Sequence, residues 1–386
     1  MSIQLLVALT VLVHLSFAGC RFIISLTAIH HGATPFTVGV VMSLLTVIAM
    51  LLALRWGRWV DRVGVRGPML AGAAAIFAAM ALAWAVPRLE TLFVASPLAG
   101  SGFFLFHIAA GQAAAVIGRP QDRVRNFGLL ALAYSTSGFL GPVLAGFAID
   151  GIGHRGAMLA LSFAALATVA ALAARNAEIP RHAAAAHPQG ERRIADLLRI
   201  PGFRLVFVVS GALSMTWDLF AFVIPIHGSQ IGLSASTIGI ILGAFGAAVF
   251  VVRLALPLVA HRLDEWRVLI AAMLLSGSTL LVFPLVDGVP LLMALAFLLG
   301  VGLGGTQPLI MALLYEKAPA GRGAEVLSVR TWLINFSQTS APLASGALGA
   351  ALGMLPVFWA MGVTLLVAGF FALRRKDRER RAPGSE

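Results

Sequence analysis

The sequence predicts an all-α membrane protein whose twelve transmembrane helices form two pseudo-symmetric six-helix bundles. Three observations carry that prediction. Of the 386 residues, 59% are hydrophobic and only 11% are charged, against about 45–50% apolar in a soluble domain, so a single buried core cannot absorb the apolar surface. Runs of about 20 apolar residues, enough to cross a ~30 Å hydrocarbon core, recur along the whole chain. Sequence features also repeat at an offset of 200 residues, pairing the first six runs with the last six.

The runs occupy residues 4–28, 35–54, 67–86, 91–117, 126–149 and 155–174, then 203–227, 235–256, 267–286, 289–315, 325–349 and 352–373, and are numbered spans 1 to 12. Span 1 is read as a retained helix, because "MSIQ" has no basic n-region and the run is longer than a signal-peptide core. An even number of spans puts both termini on one side, and the basic residues choose the side. Arg55, Arg58, Arg62 and Arg66 follow span 2; Arg119, Arg123 and Arg125 follow span 4; Arg175 through Arg204 follow span 6. Arg262 and Arg267, Lys317 and Arg322, and the tail "RRKDRERR" complete the series, whereas the intervening connections hold only Arg88 and Arg155. The positive-inside rule then makes both termini cytoplasmic in a multi-pass protein, expected in a bacterial cytoplasmic (inner) membrane. The net charge of +12 reads as topology, not as the footprint of a nucleic-acid partner.

The offset carries Gly32, Thr37 and Gly39 onto Gly232, Thr237 and Gly239, Gly100 and Gly102 onto Gly300 and Gly302, and Pro142 and Gly146 onto Pro342 and Gly346. The expected organisation is a first bundle at 1–174, a cytoplasmic linker at 175–202, a second bundle at 203–373 and a basic cytoplasmic tail at 374–386. Within the linker, "RRIADLLRI" sets Ile194, Leu197 and Leu198 on one face, as in a helix lying at the headgroup surface. Parallel halves joined this way imply alternating access around a site near the midplane.

Several chemistries are excluded. Cys20 is alone, so there is no disulfide framework. The chain has no metal-spaced His/Cys/Asp cluster, phosphate-cradling loop or nucleophile elbow, and "GVGLGG" at 300–305 reads as close helix packing inside span 10. No metal, no cofactor and no enzymatic activity are expected. A small-molecule substrate, a lipid bilayer as surroundings, a monomer, and a proton gradient as energy source are.

Ionisable residues inside a span are costly and mark pathways. His14 and Arg21, seven residues apart, share a face of span 1; the offset carries Ala18 onto Asp218 of span 7, and His107 of span 4 onto Gln307 of span 10. Asp218 should therefore look into the same central space as Arg21 from the opposite half. Thr331, Asn335 and Gln338 make a polar stripe on span 11, and Tyr134, Trp217 and Trp332 offer aromatic faces. Arg253, Glu316 and Arg330, nearer the cytoplasmic ends, read as latch or anchor residues.

Between spans 2 and 3, Gly57, Asp61, Arg62, Gly64 and Arg66 match the spacing Gly-x-x-x-Asp-Arg-x-Gly-x-Arg. This resembles the loop signature of the major facilitator superfamily. The resemblance implies a cytoplasmic gate, with Asp61 beside the amino end of span 11, the arginines in a charge network, Gly57 allowing close helix approach and Gly64 the turn. Pro257 and His261 replace the glycine and aspartate in the second half, so the latch should be asymmetric. On span 5, Gly128, Ser137, Gly141, Pro142 and Gly146 resemble the motif of the 12-helix drug:proton antiporter branch, with Ser137 and Ala145 in place of two glycines. That motif implies a packing seam kinked at Pro142, and export. Leu98 stands where many such exporters carry an arginine.

In the resembled fold, spans 1, 4, 7 and 10 line the cavity. Arg21, His107, Asp218 and Gln307 are thus the central candidates of the substrate and proton pathway, joined by His14, Tyr134, Asn335 and Gln338. The expected function is secondary active transport, as proton-coupled export of small organic molecules or drugs. Asp218 and His107 are the candidate proton carriers, and Arg21 stays charged. Two alternatives stand: uptake or facilitated transport of a small organic anion anchored by Arg21, and a non-transporting membrane sensor.

Overall fold

The computed structural model describes residues 1–174, 203–259, 264–317 and 323–381. The linker with its "RRIADLLRI" segment, His261 and Arg262 lie outside the described residues, as does the side chain of Glu316. Among the described residues the regular structure is entirely helical.

Ten helical stretches are long and apolar enough to cross a membrane. One of them, Arg123–Ala174, is 52 residues long and holds spans 5 and 6. Gly323–Leu352, span 11, has 30 residues but is too polar to qualify by composition; Arg330, Asn335, Gln338 and Thr339 interrupt its apolar run. Twelve crossings result. Val94, Phe163, Leu298 and Phe371 are exposed and stand apart from the central cavity, as side chains meeting hydrocarbon do.

The helices start where local chemistry allows. Thr34, ahead of Pro35 in the first turn, caps Pro35–Val63 by accepting from the Thr37 amide; Ser234, 200 residues on, accepts from the Thr237 amide at the start of Ala235–Val259. Asp264 caps Glu265–Val282 through the Arg267 amide at 2.9 Å. Spans 5 and 6 are two helices that meet at Gly153, whose φ of 73° lies in a region that other residues avoid, and there the chain turns back. Pro142 does not break the first of them: Gly153 is the non-helical residue of the stretch.

Span 10 departs from the continuous helix that its apolar run suggests. It is two helices, Val289–Gly304 and Thr306–Lys317. Pro308 is the cause we assign: without an N–H it cannot donate to the Gly304 carbonyl four residues back. The Thr306 hydroxyl donates to the Leu303 carbonyl at 2.7 Å, satisfying another group at the break.

Packing obeys the 200-residue offset. A Cβ on Gly100 would strike the Leu45 carbonyl, and one on Gly300 the Phe245 carbonyl. Between the halves the relation is reciprocal: Gly39 lies against the Pro342 carbonyl and Gly239 against that of Pro142, while Gly346 meets Pro35 and Gly146 meets Ala235. Small residues thus let spans 2 and 11, and spans 5 and 8, approach backbone to backbone. This seam closes the face away from the termini, where the Asp150 carboxylate also accepts from the amides of Ala235 (3.2 Å) and Ser236 (2.8 Å) at the start of span 8. Nearer the termini no such contact is made at Gly57 or Gly128: nothing beyond their own helices lies within 4 Å of where a Cβ would stand.

Candidate functional site

A cavity of about 500 Å³ lies between the halves at mid-depth. Span 1 presents His14, Phe17, Ala18 and Arg21 to it, the i, i+3, i+4, i+7 stripe of one helical face. Spans 4, 7 and 10 present His107, Asp218 and Gln307. The four residues singled out by the repeat therefore meet in one space. Tyr134 and Gln338 also line it, whereas Asn335 does not.

Arg21 crosses between the halves. Its Nη1 lies 3.7 Å from Asp218 Oδ1, and its Nη2 donates to the Asp218 backbone carbonyl at 3.1 Å. The other carboxylate oxygen accepts from the Gln338 amide at 2.9 Å. The Asp218 side chain is 11% exposed and that of Arg21 27%. The carboxylate is thus held from both sides while the arginine keeps access to the cavity, an arrangement that a proton on Asp218 would loosen. A smaller recess of about 190 Å³ continues past the pair toward Leu45 and Phe104.

The first-half wall is aromatic. Phe17 stacks on Phe103 with centroids 4.1 Å apart, and His14 and His107 flank Tyr134 at 5.1 and 5.0 Å. His107 Nδ1 shares a 2.7 Å hydrogen bond with the Tyr134 hydroxyl. His14 Nδ1 lies 2.7 Å from Ser137 Oγ, which itself donates to the Ala133 carbonyl at 2.6 Å. The single hydroxyl proton being so used, His14 is the donor to Ser137. On the second-half wall, Gln307 donates to the Ser214 hydroxyl at 3.1 Å and accepts from Arg330 through its side-chain oxygen.

The loop between spans 2 and 3 is arranged differently from the expected gate. Gly64, with φ 81°, ends the second helix and makes the turn. Asp61, however, accepts from Gln112 of span 4, and Arg66 donates to the Leu172 carbonyl through both Nε (3.1 Å) and Nη2 (2.9 Å) at the end of span 6. Both contacts stay inside the first half. Arg62 is exposed, and Gly57 makes no close approach. In this arrangement the Asp61 carboxylate is paired with an amide donor of its own half.

The span 5 motif resolves into distinct parts. Gly141 packs on Ala18, Gly146 on Ala235, and the Pro142 carbonyl on Gly239. Ser137 binds His14. Gly128 meets nothing beyond its own helix within 4 Å of where a Cβ would stand, so it makes no close helix approach here.

Sequence reasoning set Arg253 and Arg330 near the helix ends, yet both turn inward. Arg330 donates from Nε to the Ser210 hydroxyl at 3.1 Å. Arg253 lines the cavity, donates to the Ser135 hydroxyl of the opposite half at 2.7 Å and lies over the Trp217 ring at 5.4 Å. A signal for Arg253 was present: it continues the Leu242, Gly246 and Val249 stripe of span 8 at helical spacing.

The family model described as Major Facilitator Superfamily matches residues 6–267 and 206–386. No curated protein matches the chain in sequence. Among solved structures, the nucleoside transporter NupG is 12% identical with a TM-score of 0.76, covering 96% of this chain and 99% of its own. A POT family transporter solved with a thioalcohol-conjugated peptide is 14% identical, TM-score 0.79, over 97% and 96%. A bacterial homologue of the human lysosomal transporter Spinster, solved inward-facing and unoccupied, is 12% identical, TM-score 0.79, over 99% and 98%. These likenesses are of fold.

Proposed function

The chain belongs to the Major Facilitator Superfamily, and from that premise we propose that it is a secondary active transporter that exports small organic molecules in exchange for protons by alternating access. One observation carries the coupling: Asp218 is the carboxylate of the cavity wall among the described residues, and it is tied to Arg21 of the opposite half. With Asp218 ionised, the pair links the halves across the cavity. When the carboxyl takes a proton, the ionic part of that link is lost and Arg21 keeps only its bond to the Asp218 backbone carbonyl, so the guanidinium is held less tightly. A solute competing for either member of the pair therefore contends with the proton, which is the condition for exchange.

The closed seam on the far face, with no matching contact at Gly57 or Gly128 on the terminus side, supports one end state of such a cycle, open toward the side that the basic loops mark as cytoplasmic. Of the span 5 motif, Gly146 and the Pro142 carbonyl are explained by this seam, so they support closure more than direction. A second reading, transport of a small organic anion, draws on the cavity wall's two arginines, Arg21 and Arg253, against its single carboxylate, Asp218, among the described residues.

The test is flux. Protein reconstituted into liposomes with an imposed pH gradient should drive cationic or neutral solutes from a labelled panel across the membrane. Binding without flux would identify a sensor on this fold, and gradient-independent passage of anions would favour the second reading.

A further inference from the structure

One cation of the cavity wall is not used by the exchange mechanism. Arg253 lies at the end of the cavity-facing stripe of span 8. Its Nη1 donates to Ser135, and its Nε makes a long bond of 3.4 Å to the Gly304 carbonyl, the group that Pro308 leaves without a helical donor. The guanidinium carbon stands 5.4 Å from the Trp217 ring centre, and Trp217 is held edge-on by Phe245 at 5.0 Å. All these partners are neutral. Among the described residues no carboxylate pairs with Arg253, and Asp218 is already engaged by Arg21 and Gln338.

A guanidinium offers five N–H donors, of which these contacts occupy two. The remaining ones belong to Nη1 and Nη2, the paired nitrogens that meet a carboxylate side by side. The charge is held in fixed orientation by groups that do not neutralise it, beside an aromatic face and the apolar side chains of Leu242 and Val249. A membrane protein keeps an uncompensated cation in such a wall at a cost that an anionic ligand offsets.

We propose that Arg253 and Trp217 form a subsite for the carboxylate of an aromatic organic anion, the ring lying against Trp217 and Phe245 and the carboxylate on the free edge of the guanidinium. The proposal rests on reading the cavity as the solute site, takes an organic anion as that solute as in the second reading, and holds for either direction of transport. It assigns specificity to span 8 and to the break in span 10, since Gly304 helps to hold the arginine in place.

Purified protein in detergent is equilibrated with radiolabelled benzoate and indole-3-acetate, with benzamide and indole-3-acetamide as uncharged counterparts. Carboxylates should bind at least tenfold more tightly than their amides, Arg253→Gln should remove that preference, and Arg253→Lys, which keeps the charge without the planar fork, should retain part of it. Competition between carboxylate and amide on the unaltered protein stands even if the glutamine variant does not fold. Equal binding of acid and amide, no binding of either acid, or a full preference in both variants would overturn the subsite. Charge-selective binding without flux in liposomes would leave the subsite standing and remove the transport reading; flux without carboxylate preference would do the reverse.

Discussion

Arg21 and Asp218 meet across the two halves of the molecule, 3.7 Å apart, with a second bond from the same guanidinium to the Asp218 backbone carbonyl. Removing one partner should harm the protein more than removing both. A partly buried ion left alone costs about 3–5 kcal/mol in dry interiors, less here because the arginine is partly exposed. Arg21→Gln should therefore lower the unfolding temperature in detergent, and Arg21→Gln with Asp218→Asn should recover part of the loss. Additive losses would mean that the pair is not coupled in solution.

The glycine seam predicts reciprocal effects at positions 200 residues apart. Gly39→Val and Gly239→Val each place a side chain against a proline carbonyl of the other half, an overpacking of about 1–3 kcal/mol. Both should abolish transport in reconstituted vesicles while the protein still inserts. Gly57→Ala and Gly128→Ala, which meet nothing beyond their own helices within 4 Å, should leave stability nearly unchanged. A loss at Gly57 as large as at Gly39 would show that the family motif acts through packing absent from this state.

Asp150 caps a helix of the other half through two amides. Asp150→Ala should weaken that cap by about 1 kcal/mol, so hydrogen exchange at the Ala235 and Ser236 amides should quicken by roughly fivefold. Unchanged exchange there would show that the glycine contacts alone hold the far face closed. The pseudo-equivalent position in the second half is Ala350, which has no carboxylate, so no matching effect is expected.

Much of the cavity was legible because a repeat converts one helix face into another. Placing Ala18 on the cavity face of span 1 puts Asp218 there too, and the same step links His107 to Gln307. Arg253 was less legible because its counterpart in the first half is Ala53, so the repeat is silent and only the stripe on span 8 points to it. The break in span 10 was hidden by composition: hydropathy averaged over the run is dominated by its leucines, alanines and valines, while the fold depends on the donor that Pro308 lacks. The Asp61 partner was illegible for another reason. A gate residue has different partners in different states of an alternating cycle, and a sequence motif does not say which state is formed.

The most direct measurement compares intact protein with Asp218→Asn in liposomes, following labelled solute both under a pH gradient and in exchange with unlabelled solute at equal pH. The account predicts that the variant loses gradient-driven net flux yet retains solute-for-solute exchange, because the cavity survives and only the proton-accepting group is gone. Gradient-driven accumulation that persists in Asp218→Asn would contradict it and move the coupling to another group.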